Sequence, residues 1–120
     1  MAKKILVVDD NPPSLKIITM MLEQDGHLII TAKDGEEGVK KVISEKPDIV
    51  LIDTVLPGIN GFEVCRQIRE SQGSDHPKII IMTGAVDAID AVKARRMGAD
   101  DYAAKTFDLE DLKTAVKNLV

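Results

Sequence analysis

Four places in the sequence set a chemically capable side chain directly behind a short apolar run. Asp9-Asp10 follow Ile5-Leu6-Val7-Val8, Asp53 follows Ile49-Val50-Leu51-Ile52, Thr83 follows Ile79-Ile80-Ile81-Met82, and Lys105 follows Tyr102-Ala103-Ala104. Brought to one edge, three acids would repel: two carboxylates about 4 Å apart cost roughly 4 kcal/mol at an effective dielectric near 20, and a third adds to that. Without a cation such a cluster opposes folding. Mg²⁺ suits it, because this ion takes one or two carboxylates, keeps several waters and accepts phosphate oxygens as further ligands. Zinc is a poor fit, since His27, His76 and Cys65 are scattered and show none of the short spacings of zinc sites. Taken singly, an acid can merely end a strand, a threonine cap a turn and a lysine face water. The shared register at one edge is what carries weight.

The elements that must create that edge are legible as an alternation. The runs Ile5–Val8, Leu28–Ile30, Ile49–Ile52 and Ile79–Met82 are continuous rather than alternating, the pattern of strands covered on both faces. Helical spacing lies between them. Leu15, Ile18 and Leu22 follow Pro12-Pro13; Val39, Val42 and Ile43 follow the start signal Asp34-x-x-Glu37; Phe62, Cys65 and Ile68 follow Gly61; Ile89 and Val92 follow Asp87. A fifth strand, Tyr102–Ala104, precedes a last helix striped by Leu109, Leu112, Val116 and Leu119, with Asp108 as its expected N-cap. Five strands alternating with five helices predict a three-layer, doubly wound α/β fold around one parallel sheet, for which 2-1-3-4-5 is the natural order. Ligands of such sheets sit beyond the carboxyl ends of the strands where the order reverses, here strands 1 and 3. Asp9, Asp10 and Asp53 stand there.

Composition narrows the function classes. With 120 residues, 44% apolar and 30% charged, the chain is expected to be one domain over residues 1–120, large enough to stand without disulfides or a structural metal. Cys65 is the only cysteine, which fits a reducing compartment. Sixteen Lys and Arg against twenty Asp and Glu give a net charge of −4, which argues against nucleic acid binding. The apolar runs are far shorter than the ~20 residues of a membrane span, and residues 1–9 lack the apolar stretch of a secretory signal. A cytoplasmic location with no membrane contact is expected, for a stand-alone protein or a domain of a longer one.

Over essentially its whole length the chain resembles the response regulator receiver domain of two-component signal transduction, the CheY-like, flavodoxin-like fold. The resemblance rests on Asp9-Asp10, on Asp53 within Asp53-x-x-Leu56-Pro57-Gly58-x-Asn60-Gly61, on Thr83-Gly84-Ala85, on Gly98-Ala99-Asp100-Asp101-Tyr102 and on Lys105. It implies that Asp53 is the nucleophile that accepts a phosphoryl group from a sensor histidine kinase or histidine phosphotransfer protein. It further implies Mg²⁺ as cofactor, bound directly by Asp10, Asp53 and the Val55 carbonyl and through water by Asp9, with Thr83 and Lys105 holding phosphoryl oxygens. Such a domain catalyses its own phosphorylation and dephosphorylation without conventional turnover. Thr83 and Tyr102 would switch the surface of helix 4, strand 5 and helix 5, which meets a downstream effector domain or protein, or a second copy in a homodimer.

One position departs from the family pattern. Thr106 stands where a proline usually follows the lysine; the peptide is typically cis in relatives, and the resemblance implies the same for Lys105-Thr106. Elsewhere, Cys65 shares the stripe of Phe62 and is expected in the core. The first helix carries more apolar residues between Leu15 and Leu22 than a core-facing stripe needs, so some of them should be exposed; the resemblance makes that helix a kinase-docking surface. Two rival functions remain. A flavin mononucleotide carrier would share the sheet order, but Asp9-Asp10-Asn11-Pro12-Pro13 offers repelling acids and prolines without amide donors where a phosphate cradle is needed. A degenerate receiver acting as a phosphorylation-independent protein-binding module has Thr106 as its one support.

Overall fold

Aliphatic runs too short to span anything and too apolar to face water must stack into a buried sheet, and they do. The computed structural model describes residues 3–73, 76–83, 88–104 and 109–120, with the backbone alone for 88–91. Along the chain come β1 (Lys4–Val8), α1 (Pro12–Gln24), β2 (Leu28–Ala32), α2 (Gly35–Glu45), β3 (Ile49–Asp53), α3 (Gly61–Gln72), β4 (Lys78–Thr83), α4 (Ala88–Arg96), β5 (Asp101–Ala104) and α5 (Glu110–Leu119). All pairings are parallel and the order is β2-β1-β3-β4-β5, the doubly wound order expected from the alternation. No helix of the described residues is long and apolar enough to cross a membrane.

The period-2 geometry of a strand sends successive side chains to opposite faces, and the central strands are aliphatic on both. Leu6, Val8, Val50, Ile52, Ile79 and Ile81 pack with α2, α3 and α4. Ile5, Val7, Ile49, Leu51, Ile80 and Met82 pack with α1 and α5. Each fully buried Leu or Ile side chain contributes about 1.5–3 kcal/mol, so the centre of the sheet is the stable frame on which its rim is built.

Helix ends follow local chemistry. Asn11, Asp34 and Asn60 cap α1, α2 and α3, accepting from the amides of Ser14, Glu37 and Glu63 at 3.1, 2.8 and 3.0 Å. Glu37 reaches back to the Lys33 amide at 3.1 Å, close to the reciprocal arrangement that Asp34-x-x-Glu37 predicts. On the outer face of α3, Arg66 pairs with Glu63 and Glu70; its guanidinium holds the Glu63 carboxyl down at about 2.

Several expectations need correction. β2 runs on to Ala32 and is an edge strand, so Leu28 is 63% exposed rather than covered on both faces. Ile43 and Val92, assigned to core stripes, are exposed; on α2 the covered stripe is Gly35, Gly38, Val39 and Val42. Leu109 is not inside the last helix: it is the residue before Glu110, buried, with φ 57° and no side-chain cap. Asp108, its expected cap, and Asp87, Gly84, Ala85, Lys105 and Thr106 lie outside the described residues, as does the Lys105-Thr106 peptide.

Gly61 at the start of α3 has a steric reason to be glycine. A Cβ built there would lie 2.1 Å from the Asp53 carbonyl oxygen and 3.0 Å from the Thr54 Cα. Both are backbone atoms that cannot swing aside. Gly61→Ala should therefore cost about 1–3 kcal/mol through overpacking, read as a lower urea midpoint with an unchanged slope; a parental midpoint would contradict the contact.

Candidate functional site

Sheet register decides which strand ends meet. Val8 lies opposite Ile52, so the next residues, Asp9 and Asp53, leave the sheet at the same level. Asp53 in turn lies opposite Met82, which puts Thr83 one residue further along the neighbouring strand. The result is a rim at the topological switch point where Asp9, Asp10 and Asp53 each offer a carboxylate oxygen, all within 4.8 Å of one another. At that separation each ionised pair repels by roughly 3–4 kcal/mol at an effective dielectric near 20.

The three acids are not equivalent. Asp9 is fully buried, and both of its oxygens accept local hydrogen bonds, Oδ1 from the Asn11 amide at 3.0 Å and Oδ2 from the Ser14 hydroxyl at 2.8 Å. Its own amide donates to the Ala32 carbonyl at 3.0 Å, which ties the acid to the end of β2. Asp10 is exposed. Asp53 is 8% exposed, and its Oδ1 accepts from the Val55 amide at 3.2 Å. An all-oxygen donor set of this size fits a hard divalent cation such as Mg²⁺ and does not fit a soft one.

The segment after Asp53 is held in shape by its own residues. The Thr54 amide donates to the Met82 carbonyl at 3.0 Å and the Gly61 amide to the Thr54 carbonyl at 3.2 Å. Leu56 is buried, and Gly58 takes φ 77°, a conformation that glycine adopts without penalty. The Val55 side chain is 75% exposed. Thr83 is buried at the end of β4. Tyr102, opposite Ile81 on β5, is partly buried against the core shared by α2, α3 and α4. Since Thr83 lies two residues beyond Ile81, it shares a face with Tyr102 on adjacent strands.

The structure thus brings together Asp9, Asp10 and Asp53, sets Thr83 at the adjacent strand end and puts Tyr102 beside it on β5. The histidines and the cysteine lie elsewhere. His27 Nδ1 accepts from the Lys3 amide at 3.0 Å, and His76 lies against Arg69 and the Pro77 carbonyl. Cys65 is buried in the core, as its stripe indicates; burial, aided by the charge of Asp100, pushes its thiol up to about 12. Ile17 and Met20 are the exposed part of the overfull α1 stripe. The residue that sequence reasoning missed is Ser14. Its only signal is its place in the first turn after the Asn11 cap, five residues beyond Asp9.

Comparison with known proteins agrees with this geometry. A family model of the response regulator receiver domain matches residues 5–117. The alkaline phosphatase synthesis transcriptional regulatory protein PhoP of Bacillus subtilis is 41% identical over 120 residues, all of this chain but 49% of PhoP. The chain therefore spans about half the length of that relative. PilH of Pseudomonas aeruginosa is 41% identical over 109 residues, 91% of this chain and 90% of PilH. Among solved structures, the response regulator TrrA of Thermotoga maritima in complex with Mg²⁺-BeF superposes with a TM-score of 0.88 at 37% identity, covering 98% of this chain and 99% of TrrA.

Ser14 supplies a donor to a buried carboxylate that repulsion already disfavours. Ser14→Ala should destabilise the fold by about 1–3 kcal/mol, and Ser14→Thr, which keeps the hydroxyl, should recover most of that. Denaturant titration of the two variants checks it; equal losses would show that the hydroxyl is not what matters.

Proposed function

The chain belongs to the response regulator receiver domain family, and from that premise we propose that residues 1–120 form one receiver unit that accepts a phosphoryl group on Asp53 from a phosphohistidine. The donor would be a sensor histidine kinase or a histidine phosphotransfer protein. The carrying observation is the rim itself: three carboxylates within 4.8 Å, of which Asp53 alone ends β3 and opens the Asp-x-x-Leu-Pro-Gly turn. In the transfer, a carboxylate oxygen of Asp53 bonds to phosphorus as the phosphorus–nitrogen bond breaks, and the electron pair returns to the imidazole. A carboxylate is a weak nucleophile, and in-line positioning is what makes it sufficient.

When bound, Mg²⁺ neutralises charge on the phosphoryl oxygens in a loose transition state. Asp10, Asp53 and the Val55 carbonyl would hold it directly. Asp9, whose two oxygens already accept from Asn11 and Ser14, would act through water. The Thr83 hydroxyl would donate to one phosphoryl oxygen and Lys105 would neutralise another. Water attack on phosphorus would later release orthophosphate and restore the carboxylate, so the domain resets itself without an external substrate.

Readout in this proposal runs through Thr83 and Tyr102. Thr83 moves toward the new phosphoryl oxygen, the Tyr102 ring turns into the space vacated, and the surface of α4, β5 and α5 changes. Only differential contact with the phosphoryl group shifts that equilibrium. The output then passes to an effector domain or protein, or to a second copy of the chain.

A small phosphodonor such as phosphoramidate, added with Mg²⁺, should add one phosphoryl group by mass spectrometry. Asp53→Asn should abolish it with the circular dichroism spectrum unchanged, and undiminished labelling would overturn the assignment. Without phosphate, Mg²⁺ at about ten times its Kd should stabilise the domain by about 1.4 kcal/mol. Asp10→Ala should weaken binding in a calorimetric titration more than Asp9→Ala does, and equal losses would contradict the division between direct and water-mediated ligands.

A further inference from the structure

The last turn of α4 and the two residues after it, Met97 and Gly98, meet α3 at points one turn apart along α3. The Lys93 ammonium lies 4.8 Å from the centroid of the Phe62 ring. One turn on, the Cys65 thiol donates to the Met97 carbonyl at 3.3 Å. One turn further, the Arg69 side chain covers Gly98, where a Cβ would come within 2.5 Å of the Arg69 Cγ. Residues 62, 65 and 69 fall at the three- and four-residue steps of one helical stripe, so the seam runs the length of α3.

The described part of α4 also packs on β5 through one buried side chain. Ala94 is buried, whereas Val92, Lys93, Arg95 and Arg96 face solvent. A turn with one buried side chain among its described residues opens at lower cost than the frame it rests on. The N-terminus of α3 is the opposite case: Gly61 lies against the Asp53 backbone with no room for a single added carbon. Phe62 is the next residue, so the backbone that carries the ring under Lys93 is placed by that close approach.

We propose that the Lys93–Phe62 contact is a latch that seats α4 on α3, and that phosphorylation of Asp53, carried through the Gly61 backbone, releases it. This rests on the phosphoacceptor reading of Asp53. A displacement of the Asp53–Thr54 backbone must move Phe62, and a cation–π contact weakens once the ammonium leaves the ring face. The route runs along α3, separate from the strand route through Thr83 and Tyr102. Lys93 is in these terms a positioning residue for α4.

Cys65 supplies the readout, since a thiol buried in the seam and titrating at about 12 reacts only when the seam opens. Reaction of the full chain with an aromatic disulfide reagent should be about two- to fivefold faster in Lys93→Met. In Lys93→Arg, which keeps a cation over the ring, it should stay near the parental rate. Exchange of β3 amides should be unaltered in both. Beryllofluoride with Mg²⁺, a phosphoryl mimic, should accelerate the parent as Lys93→Met does. A parental rate in Lys93→Met, an equal acceleration in Lys93→Arg, or a matching rise in β3 exchange would overturn the latch. Mimic binding, seen as shifted amides beside Asp53, without faster Cys65 reaction would overturn its coupling to phosphorylation. Failure of the mimic to shift those amides would instead overturn the phosphoacceptor reading, and the metal-free rate of Lys93→Met would still decide the latch.

Discussion

Three carboxylates within 4.8 Å of one another form an arrangement that water would separate, and the rest of the fold can be understood by what keeps them together. Each pair costs roughly 3–4 kcal/mol at an effective dielectric near 20, a large fraction of the 5–15 kcal/mol by which whole domains are stable. The opposing force is apolar and lies elsewhere: the central strands β1, β3 and β4 are buried along nearly their whole length. Because those strands are parallel and in register, their ends arrive together, and the acids that follow them have no freedom to spread. Local donors then absorb part of the cost, the Asn11 amide and Ser14 hydroxyl on Asp9 and the Val55 amide on Asp53.

A cluster built this way is a natural place for exchange of charge. Frustration among like charges is relieved by a cation, and the relief is greatest where the acids cannot move apart. The same rigidity makes the site informative to the rest of the molecule. Backbone contacts at Thr54 and Gly61 tie the segment after Asp53 to β4 and to the start of α3. In α4, Ala94 is the one buried side chain among the described residues.

Much of this is legible in the residues. Continuous aliphatic runs of three or four residues fit buried parallel strands, and their shortness and β-branched content separate them from buried helix segments. Alternation with helical spacing then restricts the order of strands, and the order places the acids. The caps at Asp34 and the motif from Asp53 to Gly61 are local codes, and they fold as such. Cys65 is core because its stripe is.

What the sequence by itself determined, then, were features set by neighbours in the chain: strand and helix types, the sheet order their alternation permits, and the acids, hydroxyl and family motifs that follow each strand. What only the tertiary structure decided were features set by neighbours in space. Leu28, Ile43 and Val92 are apolar and in phase, yet exposed, because periodicity says which residues share a face and not whether anything covers it. Asp9 and Asp10 are adjacent and chemically identical, yet one is sealed beneath Ser14 and the other faces water, since successive residues leaving a strand point in opposite directions. Gly61 shows its reason only against the Asp53 carbonyl, and Lys93 meets Phe62, a residue 31 positions earlier in the chain. Those distances arise from packing the layers together, and no local code in the chain carries them.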